Sequence, residues 1–174
     1  RGITVMDVGC SAGHSTIRLA EEFPNSQFIG IDPWREAIEL ANMHAAEHGN
    51  PSNLVFQNMC ATQIPPDSVD VVILNDVLHE MDVDVRGQAL GSIRRSLRTN
   101  GGMFISDPVA PATHSDFLKE NAKVPAITLF FESPFGAKVH TQSELTDLLC
   151  TAGFGEVTKL ESSELDFAAY VCPK

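Results

Sequence analysis

Short β-rich runs alternating with longer helical stretches are the feature that most limits what this chain can become. The runs are ITVMDVG (3–9), SQFIGID (26–32), NLVFQNM (53–59), VDVVILND (69–76) and GGMFISD (101–107). Between them lie the helical stretches HSTIRLAEEF (14–23), PWREAIELANMHAAEHG (33–49) and DVRGQALGSIRRSLRTNGG (84–102). Strands and helices in alternation imply right-handed crossovers and a doubly wound, mostly parallel sheet. Ala37, Ile38, Ala41 and Ala45 recur at helical spacing and are expected to face that sheet. VVIL (71–74) is the kind of apolar run that a parallel sheet buries on both faces. Asn100-Gly101-Gly102 is expected to stop the third helical stretch. The end of the chain breaks the rhythm. GEVTKLES (155–162) and FAAYVCP (167–173) have only SELD between them, too short for a crossover helix, so they should pair antiparallel. The expected fold is α/β, a seven-stranded sheet closed by an antiparallel C-terminal hairpin.

The 174 residues, 43% of them hydrophobic, fit one domain over 1–174 with a full core. RGITV enters a strand almost at once, so a further segment is expected ahead of Arg1. Twelve basic against 23 acidic residues leave a net charge of −11, which disfavours nucleic acid and anionic membranes. No run of about 18 apolar residues offers a membrane span. Cysteines at 10, 60, 150 and 172 form no CxxC pair and no zinc-like cluster with histidine, so a reduced, cytoplasmic setting without a bound metal is expected. Cys150 and Cys172 are expected in the core. Residues 107–140, rich in Pro and Phe, form the one long irregular stretch, which at such length is expected to be an acceptor-site or lid segment.

The chemistry gathers at the ends of the runs. Asp7, Gly9, Ser11 and Gly13 alternate through the first turn, where small residues let backbone N–H groups approach a ligand. The helix behind them turns its positive end toward a carboxylate. Asp32 ends the second run, where a carboxylate can accept hydrogen bonds from both hydroxyls of a ribose, or equally cap the next helix. Pro33 and Trp34 could wall an adenine ring. The third run ends at Cys60-Ala61 and the fourth at Asn75-Asp76. All of these ends share the carboxyl edge of the sheet, where open α/β folds take their ligands.

Over nearly its whole length the chain resembles the class I S-adenosylmethionine-dependent methyltransferases. MDVGCSAG is similar to their acidic-x-G-x-G-x-G loop, GIDP to their ribose-binding acidic turn and VDVVILNDVLHEM to their fourth-strand motif. LRTNGGMFISD resembles their fifth-strand entry, and LLCTAGF the helix before their terminal hairpin. NDVLHEM…R…IRRSLR further resembles small-molecule methyltransferases that carry a helical or winged-helix domain ahead of the catalytic one. The resemblance implies S-adenosyl-L-methionine as cofactor, with Asp7 among the residues that bind it and Gly9, Cys10, Ser11 and Gly13 lining its methionine end. Asp32 would hold the ribose, Pro33 and Trp34 would flank adenine, Ala61 would offer a backbone N–H to the ring, and Asn75 would offer its backbone near the sulfonium. Two positions depart from the pattern. Ser11 replaces a glycine, and Cys60, a poor acceptor, stands where an acid often binds the adenine amino group.

His79 stands just past the fourth run, near where a methyl acceptor would lie, and an imidazole suits proton removal there. A packing or capping role is the competing expectation, and Glu80 is expected to be its solvated neighbour. Methyl transfer asks little beyond alignment for in-line attack, so an acid–base pair is not required. His114, His140, Phe130, Phe131 and Phe135 could line an apolar acceptor pocket, or the phenylalanines could be plain core. The expectation is methyl transfer to an O, N or C atom of a small-molecule acceptor, with a homodimer left open. A nicotinamide oxidoreductase fits worse, because His14 stands where its third glycine belongs. A non-catalytic binding or scaffold module with the same fold is the alternative.

Overall fold

The computed structural model describes residues 2–119, 122–160 and 167–174. Strands β1 (Thr4–Val8), β2 (Gln27–Asp32), β3 (Leu54–Asn58), β4 (Val69–Asn75) and β5 (Leu97–Ala110) alternate with helices α1 (His14–Glu22), α2 (Arg35–Glu47) and α3 (Val83–Ser96). Then follow α4 (Lys123–Glu132), a two-residue β6 (His140–Thr141), α5 (Gln142–Thr151), β7 (Thr158–Leu160) and β8 (Phe167–Pro173). The sheet order is β3-β2-β1-β4-β5-β8-β7, with β6 pairing beside β5. The first five strands are parallel, while β8 runs antiparallel to both β5 and β7. The expected reversal at the end of the chain is present, although SELD (163–166) lies outside the described residues. The chain winds from β1 outward to β3, then returns to place β4 on the other side of β1. A crevice opens where that order reverses.

The period of two along each strand divides the core between the two faces. Val5 and Phe28 pack with Ala20 of α1 on one side. Ile17 of α1, Ile38, Ala41 and Ala45 of α2 and Phe56 close that side further. Val72 and Leu74 turn the other way, onto Leu90 and Ile93 of α3 and Leu145 and Leu149 of α5. The VVIL run is less symmetrically covered than expected: Val72 and Leu74 are buried, whereas Val71 and Ile73 are only half-buried.

Three expectations are corrected. The third helix ends at Ser96, well before Asn100-Gly101-Gly102. Its last carbonyls are taken by the turn before β4, because Asp67 N–H donates to Arg95 O and Ser68 N–H to Ser96 O. Leu97 is thereby drawn into the sheet opposite Val69. Cys150 is exposed while Cys172 is buried. On α5 the buried pair is Leu145 and Leu149, and the next residue turns about 100° away from that face. Residues 107–140 are not wholly irregular, since β5 runs to Ala110 and α4 occupies Lys123–Glu132. Pro125 obscures that helix in the sequence, yet it sits in the first turn, where a missing N–H costs nothing.

Candidate functional site

A cleft of about 1390 Å³ lies along the carboxyl ends of β1, β2 and β4. The β1 turn contributes Asp7, Gly9, Cys10 and Ser11; the β2 end contributes Asp32, Pro33 and Trp34; Cys60, Ala61 and Asn75 complete the group. Gly13 and His79 stand apart from this lining.

The turn after β1 is held by the neighbouring strand. Gly9 and Cys10 both donate N–H to the Ile31 carbonyl, at 2.8 and 3.0 Å. Gly9 has φ +74° and Gly13 φ +79°. A Cβ at Gly9 would lie 2.6 Å from a Val77 methyl, and one at Gly13 would lie 2.5 Å from the Phe56 ring. Neither position has room for a side chain. Ser11 also takes a left-handed conformation, φ +48°, and its N–H donates to Asp32 Oδ2 at 3.0 Å. Trp34 N–H donates to Asp32 Oδ1 at 2.8 Å. Asp32 therefore joins the two turns, and a carboxylate with about four lone-pair sites keeps capacity for further donors.

Burial separates the acids. Asp7 is 6% exposed and accepts the Thr16 hydroxyl at 2.5 Å. Its carboxyl is raised above the ordinary value, chiefly by burial, with the Thr16 bond opposing and the Asp32 charge adding. The Cys10 thiol is pushed up to about 12 by burial and then by the Asp7 and Asp32 charges, so it stays protonated and is no nucleophile. The Cys60 backbone N–H is taken by Gln63 Oε1 at 3.1 Å. Pro33 and Trp34 are exposed on the rim, the indole by 74%.

Past β4 the turn 76–82 forms the far wall of the cleft through Asp76, Val77, Glu80, Met81 and Asp82. His79 belongs to this turn but faces inward and is 1% exposed. Its Nδ1 lies 3.0 Å from Asp107 Oδ1 and 3.9 Å from Asp76 Oδ1. Asp107 stands on β5 and is equally buried. Sequence reasoning missed it, although an acid at a strand's carboxyl end, as at Asp7 and Asp32, was the available signal. Arg86 was also missed, because an arginine in a polar helical stretch reads as solvated; it is in fact buried beneath the same turn.

The other candidates do not gather here. His114 is exposed, and His140 is buried behind the wall. Phe130 and Phe131 meet edge to face, 5.3 Å between centroids, and both are exposed, so they neither join the core nor line the cleft. The Phe135 side chain lies outside what the structure describes.

The sheet order, the reversed last strand and the crevice at the switch point define a Rossmann-like methyltransferase fold. The chain belongs to a methyltransferase domain family, whose model matches residues 1–153. It is 30% identical over 106 residues to a carboxy-S-adenosyl-L-methionine synthase of Hydrogenovibrio crunogenus, covering 59% of this chain and 41% of that one. It is 27% identical over 154 residues to the O-methyltransferase VdtC of Byssochlamys spectabilis, covering 83% of this chain and 34% of the relative. Among solved structures, human N-acetylserotonin methyltransferase in complex with SAM shares the fold, with a TM-score of 0.75 at 19% identity over 98% of this chain and 47% of that one. The chain thus spans less than half the length of each of these proteins. Among the described residues, no helix is long and apolar enough to cross a membrane.

Proposed function

We propose that this domain binds S-adenosylmethionine in the cleft and transfers its methyl group to an O, N or C atom of a small, partly apolar acceptor. The observation that carries the reading is Asp32, fixed by the N–H groups of Ser11 and Trp34 beside a turn with no room for side chains at Gly9 and Gly13. When bound, the cofactor supplies a methyl group already activated on a sulfonium. The N-terminal turn, Gly9 to Gly13, holds the amino-acid end, and Asp7 adds negative charge beneath it. Asp32 accepts from the ribose hydroxyls, Pro33 and Trp34 cover the adenine, and Ala61 N–H meets a ring nitrogen in place of the missing acid at Cys60. Asn75 lends its backbone beside the reacting centre.

His79 serves the acceptor end as a general base. Donation from Nδ1–H to Asp107 fixes the tautomer, so the lone pair is on Nε2. Four free thiols suit a reducing cytoplasm, and the net charge of −11 suits a small acceptor rather than a polyanion. Support for the cofactor comes from the family and from the SAM-bound neighbour.

Calorimetry with S-adenosylhomocysteine tests the reading. Binding is expected, and Asp32→Ala should weaken it by about 1–3 kcal/mol through lost charged hydrogen bonds. No heat from the intact domain would overturn the cofactor assignment. One observation favours the rival, a binding module without turnover: His79 does not line the cleft. Transfer of a labelled methyl group from the cofactor into a metabolite extract separates the two.

A further inference from the structure

Behind the far wall of the cleft lies a buried cation that the proposed reaction does not use. Arg86 of α3 is 2% exposed. Its Nε donates to the Met81 carbonyl at 2.9 Å and its Nη2 to the His79 carbonyl at 2.7 Å. Its Nη1 lies 3.1 Å from His140 Nε2. Lys138 N–H donates to the same His79 carbonyl at 3.0 Å. Turn 76–82 is thus tied at two carbonyls, from α3 on one side and from the segment entering β6 on the other.

A guanidinium only donates, so His140 Nε2 can only accept, and the ring must be neutral with its proton on Nδ1. That Nδ1 is buried with no hydrogen-bond partner among the described residues. A second proton on the ring would turn a donor toward a donor and set two positive charges side by side. The arrangement therefore exists in one protonation state.

We propose that Arg86 is a positioning residue for the turn 76–82, and that it holds this turn in place only while His140 is neutral. The inference rests on the methyl-transfer reading in one respect: the turn it fixes is taken to be the acceptor wall. The charged groups facing His140 are Arg86 from α3, Lys138 from its own segment, Glu144 from the first turn of α5 and Asp107 from β5. Burial, Arg86 and Lys138 favour the neutral ring, while Glu144 and Asp107 oppose them, and the balance lies below the ordinary value of 6.5. Glu144 is committed to the Thr141 N–H at 2.9 Å, and Asp107 Oδ1 to His79. The sign follows. The clamped turn binds fewer protons than the released one, so the clamp is complete above the ordinary imidazole pKa and weakens as the pH falls below it.

Backbone hydrogen exchange of the full chain tests this, with rates corrected for their intrinsic pH dependence. His140→Gln keeps an acceptor for Nη1 but cannot titrate, and Arg86→Lys removes the fork. In the wild type, the amides of 77–82 should exchange about tenfold faster near pH 5.5 than near pH 7.5, the scale of one charged hydrogen bond. His140→Gln should be equally slow at both pH values, and Arg86→Lys fast at both. If Arg86→Lys does not fold, the wild type and His140→Gln decide the matter alone. Wild-type protection that ignores pH, or a His140→Gln protein that loses protection as the wild type does, overturns the proposal. S-adenosylhomocysteine affinity near pH 7.5 should be the same in the wild type and His140→Gln. Absence of that binding with the pH-dependent protection intact sinks the methyl-transfer reading and leaves the clamp standing.

Discussion

Replacing Gly9 with alanine is expected to damage two parts of the cleft at once. The new Cβ would meet the Val77 methyls at 2.6 and 2.7 Å, far inside the roughly 3.5–4 Å at which carbons rest together. The backbone there has φ +74°, where an L-residue costs about 1–2 kcal/mol. Crowding at Val77 adds about 1–3 kcal/mol, because the residue is half-buried and its turn is tied from behind. Together these place the loss in stability at about 2–5 kcal/mol. Val77→Ala removes both methyls and leaves its own Cβ 3.3 Å from the new group. Paired with Gly9→Ala it should restore the crowding share and leave the backbone share of about 1–2 kcal/mol. Urea unfolding of the two single variants and the double variant, followed by circular dichroism, supplies the cycle. A cost below about 1 kcal/mol for Gly9→Ala, or no recovery in the double variant, refutes the packing of the first turn against the far wall.

Asp7→Asn should stabilise the domain near neutral pH, where burial penalises the charged carboxylate, and weaken its hold on S-adenosylhomocysteine, the usual exchange of stability for function. The folded state keeps its proton to a higher pH than the unfolded value of 3.8. Stability is therefore lost as the pH rises through the window above 3.8, and the variant's gain should vanish below it. An Asp7→Asn protein less stable than the wild type at pH 7 in urea would contradict this. Tyr170→Phe should be neutral or stabilising by up to about 1–2 kcal/mol, since the buried hydroxyl finds no partner among the described residues. A loss above about 1 kcal/mol in thermal unfolding would mean that the hydroxyl is bonded.

The parallel wind and the reversed end were legible because each depends on local pattern. Five apolar runs with crossover-length helices leave few topologies, and four residues between the last two runs forbid a crossover. The grouping of Gly9, Asp32 and Asn75 along one cleft was legible for the same reason, since they stand at the carboxyl ends of the parallel strands β1, β2 and β4. The boundary at Leu97 was not, because the turn at Asp67-Ser68, 28 residues earlier, supplies the amides that end α3. Arg86 was hidden by another cause. Its burial is settled by contacts with the turn 76–82 and with β6, and one-dimensional spacing carries no trace of that.

The chain's single tryptophan is Trp34, which stands on the cleft rim with its indole open to water. Emission from this domain is consequently a one-site signal. Anything flat that settled on the ring would dim or shift the whole of it, so occupancy of the proposed adenine end could be followed in a cuvette with no label attached.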